Sequence, residues 1–197
     1  MYQFKDDSLM LQNDLYQINM AESYWNDGIH ERTAIFDLYF RNMPFNSGYA
    51  VFNGLKRVID FIENFGFSDA DIDYLKTIGY KDDFLSYLKN LKFTGNIRSM
   101  QEGELCFGNE PLIRVEAPLI QAQLIETILL NIINFHTLIA TKASRIRQIA
   151  MNDTLMEFGT RRGQEIDAGL WGARAAFIGG FDSTSNVRSE ERRVGKE

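Results

Sequence analysis

At 197 residues, 45% hydrophobic and 13% aromatic, the chain carries apolar surface for one large domain or two small ones. Its formal charge of −6 argues against nucleic acid as a general partner. One cysteine, Cys106, excludes an internal disulfide and a cysteine-built metal set, which fits a reducing cytoplasm.

In chain order, "MYQFKDDSLM" lacks the basic and then apolar pattern of a secretory signal. "LMLQNDLYQINMAESYWNDG" predicts a helix, with Leu11, Leu15, Ile18 and Met20 near helical spacing. "TAIFDLYFRNM" reads as a strand and "NMPFNSG" as a loop. "YAVFNGLKRVIDFIENFG" returns to helical period, with Leu55, Val58, Ile59 and Ile62 on one face. "SDADIDYLKTIG" starts a helix with Ser68 as N-cap, and "DDFLSYLKNL" repeats that logic.

"TGNIRSMQEGELCFGNEPLIRVEAP" reads as two or three strands, with Cys106 a small core residue. Pro118 suits the first turn of a long helix running to about Met151. Its middle, "LIETILLNIINFHTLIA", is the most apolar stretch, but Glu126, Asn131, Asn134 and His136 make it a buried helix rather than a membrane span.

After Asp153 the composition changes. "LMEFGT" is a short apolar strand, "GQEIDAGLWGARAAFI" a helix with Ile166, Leu170, Ala173 and Phe177 on one stripe, and "FDSTSNV" another strand or loop. This is a βαβ unit with parallel strands, which cannot cover both faces of its own sheet. The expected organisation is α/β: an N-terminal α+β domain at residues 1–152, then an incomplete α/β domain at 153–187.

Ligands of βαβ folds bind at the carboxyl ends of the strands. There stand Phe158, Thr160, Arg161 and Arg162, an aromatic face, a hydroxyl and two guanidiniums beside a helix start. They suit a planar anion or a phosphate, the alternative being a solvated loop with two surface arginines. "DSTSN" at the second strand end could line such a site or form an Asx-type turn.

Four segments, "NDLYQINMA", "YFRNMPFNSGYAVFNGL", "EPLIRVEAPLIQAQLIETILLNIINFHTLIATKASRI" and "EFGTRRGQEIDAGLWGARAAFIGGFDSTSNV", together resemble the nicotinate phosphoribosyltransferase family from about Leu9 to Val187. The resemblance implies a type II phosphoribosyltransferase fold, an N-terminal domain and an irregular (β/α) barrel. It implies an enzyme joining nicotinate to phosphoribosyl pyrophosphate, with ATP as co-substrate and Mg, to give nicotinate mononucleotide for NAD salvage. It further implies a cytoplasmic homodimer with shared active sites, and neither nucleic acid nor membrane as partner.

Carried over by motif, Phe158 stacks on the pyridine ring and Tyr16 covers the opposite face from the partner chain. Asp14 sits beside Tyr16 in the same motif. Arg161, next to Thr160, lies near the ring and the ribose phosphate, and Arg41 reaches the pyrophosphate across the dimer. Ser185 stands where nicotinamide-using relatives carry an aspartate, whose charge would repel a carboxylate substrate. Gly163 and Gly169 replace the family's usual alanine, with no expected effect on site chemistry.

The family's phosphorylated histidine lies in a Gly-Thr-X-Ala-His-Ser motif absent from these residues; His30 and His136 do not match it. The closing "RSEERRVGKE" resembles translated sequencing adapter, so residues 188–197 are expected to be a non-native tail on an inactive fragment. Rival readings are a nicotinamide or quinolinate phosphoribosyltransferase, a non-catalytic dimerisation or regulatory module, and a basic-tailed nucleic-acid binder. Ser185 disfavours the first, and the acidic balance disfavours the last.

Overall fold

The structure, a computed structural model, describes residues 8–188; the expected tail at 189–197 and the first seven residues lie outside them. The chain forms helices α1 (Leu15–Asn26), α2 (Leu55–Glu63), α3 (Asp69–Thr77), α4 (Asp82–Asn90), α5 (Leu119–Ala150) and α6 (Ile166–Ile178). Its strands are β1 (Thr33–Leu38), β2 (Ala50–Val51), β3 (Asn96–Ser99), β4 (Leu105–Cys106), β5 (Ile113–Pro118), β6 (Met156–Glu157) and β7 (Ser183–Thr184). They divide between two compact units, each assembled from separated stretches.

The first unit takes residues 8–38, 56–98 and 113–131. Its sheet has the order β1-β5-β3, with β1 antiparallel to β5 from Thr33↔Pro118 to Leu38↔Ile113. β5 alternates, burying Ile113, Val115 and Ala117 while Arg114 and Glu116 face out, the period of a half-covered strand. On the outer face Arg114 pairs with both oxygens of Asp37 at 2.7 and 2.8 Å. The start of α3 meets the expectation in full: Ser68 Oγ accepts from Asp71 N–H while the Asp71 carboxylate accepts from Ser68 N–H, a reciprocal capping box. Trp25 and Tyr80 pack on the ring of Phe84, tying α1 to α4.

The second unit takes residues 39–55, 99–112 and 132–188. β2 pairs antiparallel with β4, burying Ala50, Val51 and Cys106. α5 has the length and hydropathy to cross a membrane, yet its polar side chains serve other backbone segments. Thr141 Oγ1 accepts from Val51 N–H at 2.9 Å and Thr137 Oγ1 from Asn53 N–H at 3.1 Å, both fully buried. Arg174 on α6 joins Glu102 and reaches Asn53 Oδ1. The β6–α6–β7 unit has the parallel pairing expected, Met156↔Ser183 and Glu157↔Thr184.

Four local expectations change. "YAVF" contributes strand β2, and the helix begins only at Leu55. Ile59 is exposed on that helix while Val58 and Phe61 are buried. The inward face of α6 is small, Gly169, Ala173, Ala175 and Ala176, whereas Ile166 is 81% and Phe177 41% exposed. Pro118 closes β5 rather than opening α5.

Candidate functional site

In the second unit the expected residues gather at the carboxyl ends of β6 and β7. β6 ends at Glu157, so Phe158 is the first residue beyond it; Ser185 is the first beyond β7. The Ser185 N–H donates to Glu157 O at 2.9 Å, carrying the ladder one residue past the strands. Phe158 is 57% exposed and Ser185 is also exposed, so an aromatic face and a hydroxyl stand open at adjoining strand ends.

The loop that follows is a closed turn. Gly159 O accepts the N–H groups of Arg162 and Gly163, each at 2.8 Å. Arg162 Nη1 folds back onto Phe158 O at 3.0 Å. Its guanidinium therefore braces the turn, while Arg161 is exposed with no hydrogen-bond or ion-pair partner among the described residues. The two adjacent arginines, equivalent by composition, have different occupations.

The loop rests on the helix after it. A Cβ at Gly169 would stand 3.1 Å from Thr160 Cα and 3.2 Å from Thr160 O, and one at Gly163 would stand 3.1 Å from Gly169 N. Gly169 thus seats Thr160 by backbone contact. The start of α6 also differs from an open anion cradle. The Glu165 carboxylate accepts from Asp167 N–H at 3.1 Å, and the first-turn N–H groups of Ile166 and Asp167 hold that carboxyl below its ordinary range. An anion at that helix end would meet two carboxylates.

Glu157, which the motif reading passed over, ties the strand ends together. One carboxylate oxygen accepts from Gly159 N–H, the other from Thr184 Oγ1 at 2.7 Å, and Thr184 Oγ1 accepts from Asn186 N–H at 3.1 Å. Arg41 belongs to this unit, exposed after β1 and without a bond to another described group.

Asp14 and Tyr16 stand on the first unit. Asp14 is the N-cap of α1, with no side-chain cap bond. Tyr16 is 52% exposed, while the next residue, Gln17, is fully buried and donates to Tyr16 OH at 2.9 Å and to Glu126 at 3.1 Å. Desolvation foremost, then the carboxylates of Glu126 and Asp14, holds the Tyr16 phenol above its ordinary range, so it stays a neutral hydroxyl. A buried glutamine beside an exposed tyrosine is the signal in "DLYQ" that composition alone left unread. In the same unit a cavity of about 460 Å³ is lined by Leu11, Asn13, Asn19, Tyr74 and Tyr80 among others, but by neither Asp14 nor Tyr16.

Among the described residues no three His, Cys, Asp or Glu side chains are grouped to hold a metal ion. His136 is buried against Phe135 and Trp171, and His30 packs edge-on to Tyr87.

The model of the nicotinate phosphoribosyltransferase (NAPRTase) N-terminal domain matches residues 11–134. The chain is 62% identical over 192 residues to the nicotinate phosphoribosyltransferase of Bacillus subtilis, covering 97% of the chain and 39% of that protein. It is 43% identical over 188 residues to that of Caenorhabditis elegans, covering 92% and 34%. The crystal structure of human nicotinic acid phosphoribosyltransferase superposes with a TM-score of 0.86 at 38% identity, over 92% of the chain and 37% of that protein. Nicotinate-nucleotide pyrophosphorylase from Pyrococcus furiosus, at 21% identity and TM-score 0.76, shares the fold. The chain spans between a third and two fifths of the two curated relatives' length.

Proposed function

The chain belongs to the nicotinate phosphoribosyltransferase family, and from that premise we propose that its strand-end residues form the pyridine site of an enzyme making nicotinate mononucleotide. In this reading nicotinate and phosphoribosyl pyrophosphate are the substrates and ATP hydrolysis drives the reaction, within cytoplasmic NAD salvage. The pyridine nitrogen attacks the anomeric carbon, the carbon–oxygen bond to pyrophosphate breaks, and pyrophosphate leaves with its electron pair. The observation that carries the reading is the adjacency of Phe158 and Ser185 at two parallel strand ends.

Each residue then has a task. Phe158 stacks on the ring, an interaction worth about 0.5–1.5 kcal/mol beyond area burial, so it orients more than it anchors. Thr160 and Ser185 offer hydroxyls to the carboxylate. Arg161, whose guanidinium is uncommitted, neutralises the ribose phosphate. Arg41 meets the pyrophosphate, and Tyr16, with Asp14 beside it, covers the ring from the second subunit of a homodimer. Residues 153–187 open a (β/α) barrel that follows an N-terminal domain at 1–152. ATP and Mg are assigned to none of the described residues, and the Gly-Thr-X-Ala-His-Ser motif is absent from the 197 residues.

The test is Ser185→Asp in the protein at the family's length. A carboxylate beside the substrate's own should raise the Kd for nicotinate at least about tenfold in a partly desolvated site, while nicotinamide binding is not weakened. Unchanged nicotinate affinity overturns the assignment.

A further inference from the structure

We propose that Glu157 is the positioning residue of this site, setting the spacing between the aromatic platform at Phe158 and the hydroxyl at Ser185. The proposal rests on the pyridine-site reading above and adds a residue that the reading does not use. β6 and β7 are two residues each, paired only as Met156↔Ser183 and Glu157↔Thr184. So short a ladder leaves the residues beyond it to other restraints. Glu157 supplies them from three acceptors: its main-chain oxygen takes Ser185 N–H, one carboxylate oxygen takes Gly159 N–H, and the other takes the Thr184 hydroxyl. Thr184 Oγ1 in turn takes Asn186 N–H.

The two ligand-facing residues are therefore bracketed. Phe158 lies between Glu157 itself and Gly159, which is tied back to it. Ser185 lies between Thr184 and Asn186, which reach the same carboxylate through one hydroxyl. A carboxylate suits this task because its two oxygens accept from two directions, and bonds to an ionised acceptor are the shorter and stronger kind. Both oxygens face protein donors, so Glu157 acts through its neighbours, without contact to substrate. Charge is not essential to the geometry. A glutamine can keep its oxygen on Gly159 N–H and turn its amide N–H onto Thr184 Oγ1, whereas alanine loses both links.

Glu157→Ala and Glu157→Gln, with Thr184→Val as an independent break of one link, separate these possibilities. In the 197-residue chain, hydrogen exchange at the Gly159 and Asn186 amides should quicken about tenfold or more in Glu157→Ala and stay within about threefold in Glu157→Gln. In the protein at the family's length, KM for nicotinate should rise roughly tenfold in Glu157→Ala, with KM for phosphoribosyl pyrophosphate within about threefold; Glu157→Gln should restore it and Thr184→Val fall between. Unchanged exchange in Glu157→Ala overturns the clamp. Quickened exchange with an unchanged KM for nicotinate overturns its positioning role, as does a glutamine no better than alanine. If the unsubstituted protein forms no nicotinate mononucleotide, the reading of the site fails, and amide exchange still decides the clamp.

Discussion

Cys106 lies between Leu105 and Phe107 and is fully buried in β4. Desolvation first, and the Glu110 carboxylate next, push its thiol up to about 11. The thiolate is the reactive form, so this cysteine is inert at neutral pH. Iodoacetamide at pH 8 should leave it unmodified in the folded chain and alkylate it fully in denaturant, as mass spectrometry would record. Neighbouring side chains of one type also diverge: Arg162 braces Phe158 O while Arg161 is open. The repeated letters in "TRR" could not separate those roles, because the difference is set by where the turn at Gly159 points each side chain.

The elements around the site meet through small residues. Gly179, at the end of α6, has an ordinary backbone conformation, φ −76°. A Cβ there would collide with Ala140 O and stand 2.6 Å from Ala143 Cβ, both on α5. Neither atom belongs to a flexible tip that can swing away. Gly179→Ala should therefore lower stability by about 1–3 kcal/mol, the usual cost of overpacking, despite alanine's better helix propensity. A reduced urea midpoint with unchanged slope would show it; an unchanged midpoint would mean that the helices can part at no cost. The ends of β6 and β7 opposite the site are fixed from α5. Arg147 donates to Gly180 O at 2.7 Å and Asp153 O at 2.8 Å and pairs with Asp182, whose carboxylate also accepts Leu155 N–H at 2.8 Å. Arg147, near the end of the long helix, thus anchors the strand pair.

Among the described residues, exposed ion pairs supply part of the acid response. The Arg114 guanidinium beside Asp37, chiefly through its hydrogen bonds, holds that carboxyl below its ordinary value of 3.8, and the Lys89 ammonium does the same for Asp69. As pH falls the unfolded chain takes up these protons first. The pairs contribute above about pH 3.8, and that contribution disappears as pH drops through the lower folded values. Both pairs are at the surface, so the effect is small and screened. Urea midpoints should hold steady from pH 7 to 5 and fall below pH 4, with the drop reduced at roughly 1 M salt. A midpoint falling already between pH 7 and 5 would place the acid sensitivity in other groups.

Most helices and strands, the βαβ unit and the strand-end position of Phe158 were legible in one dimension, because helical and strand periods and the Ser68 cap are local properties. The same letters left four things open. They did not show that β2 and β4 pair, that α6 buries its glycine and alanines rather than its large apolar residues, that Gly169 seats Thr160, or that Glu157 holds Gly159 and Thr184. Each depends on atoms brought together from distant stretches of chain. Distances between such atoms follow from packing and hydrogen-bond satisfaction across the whole unit, which only the tertiary structure decides.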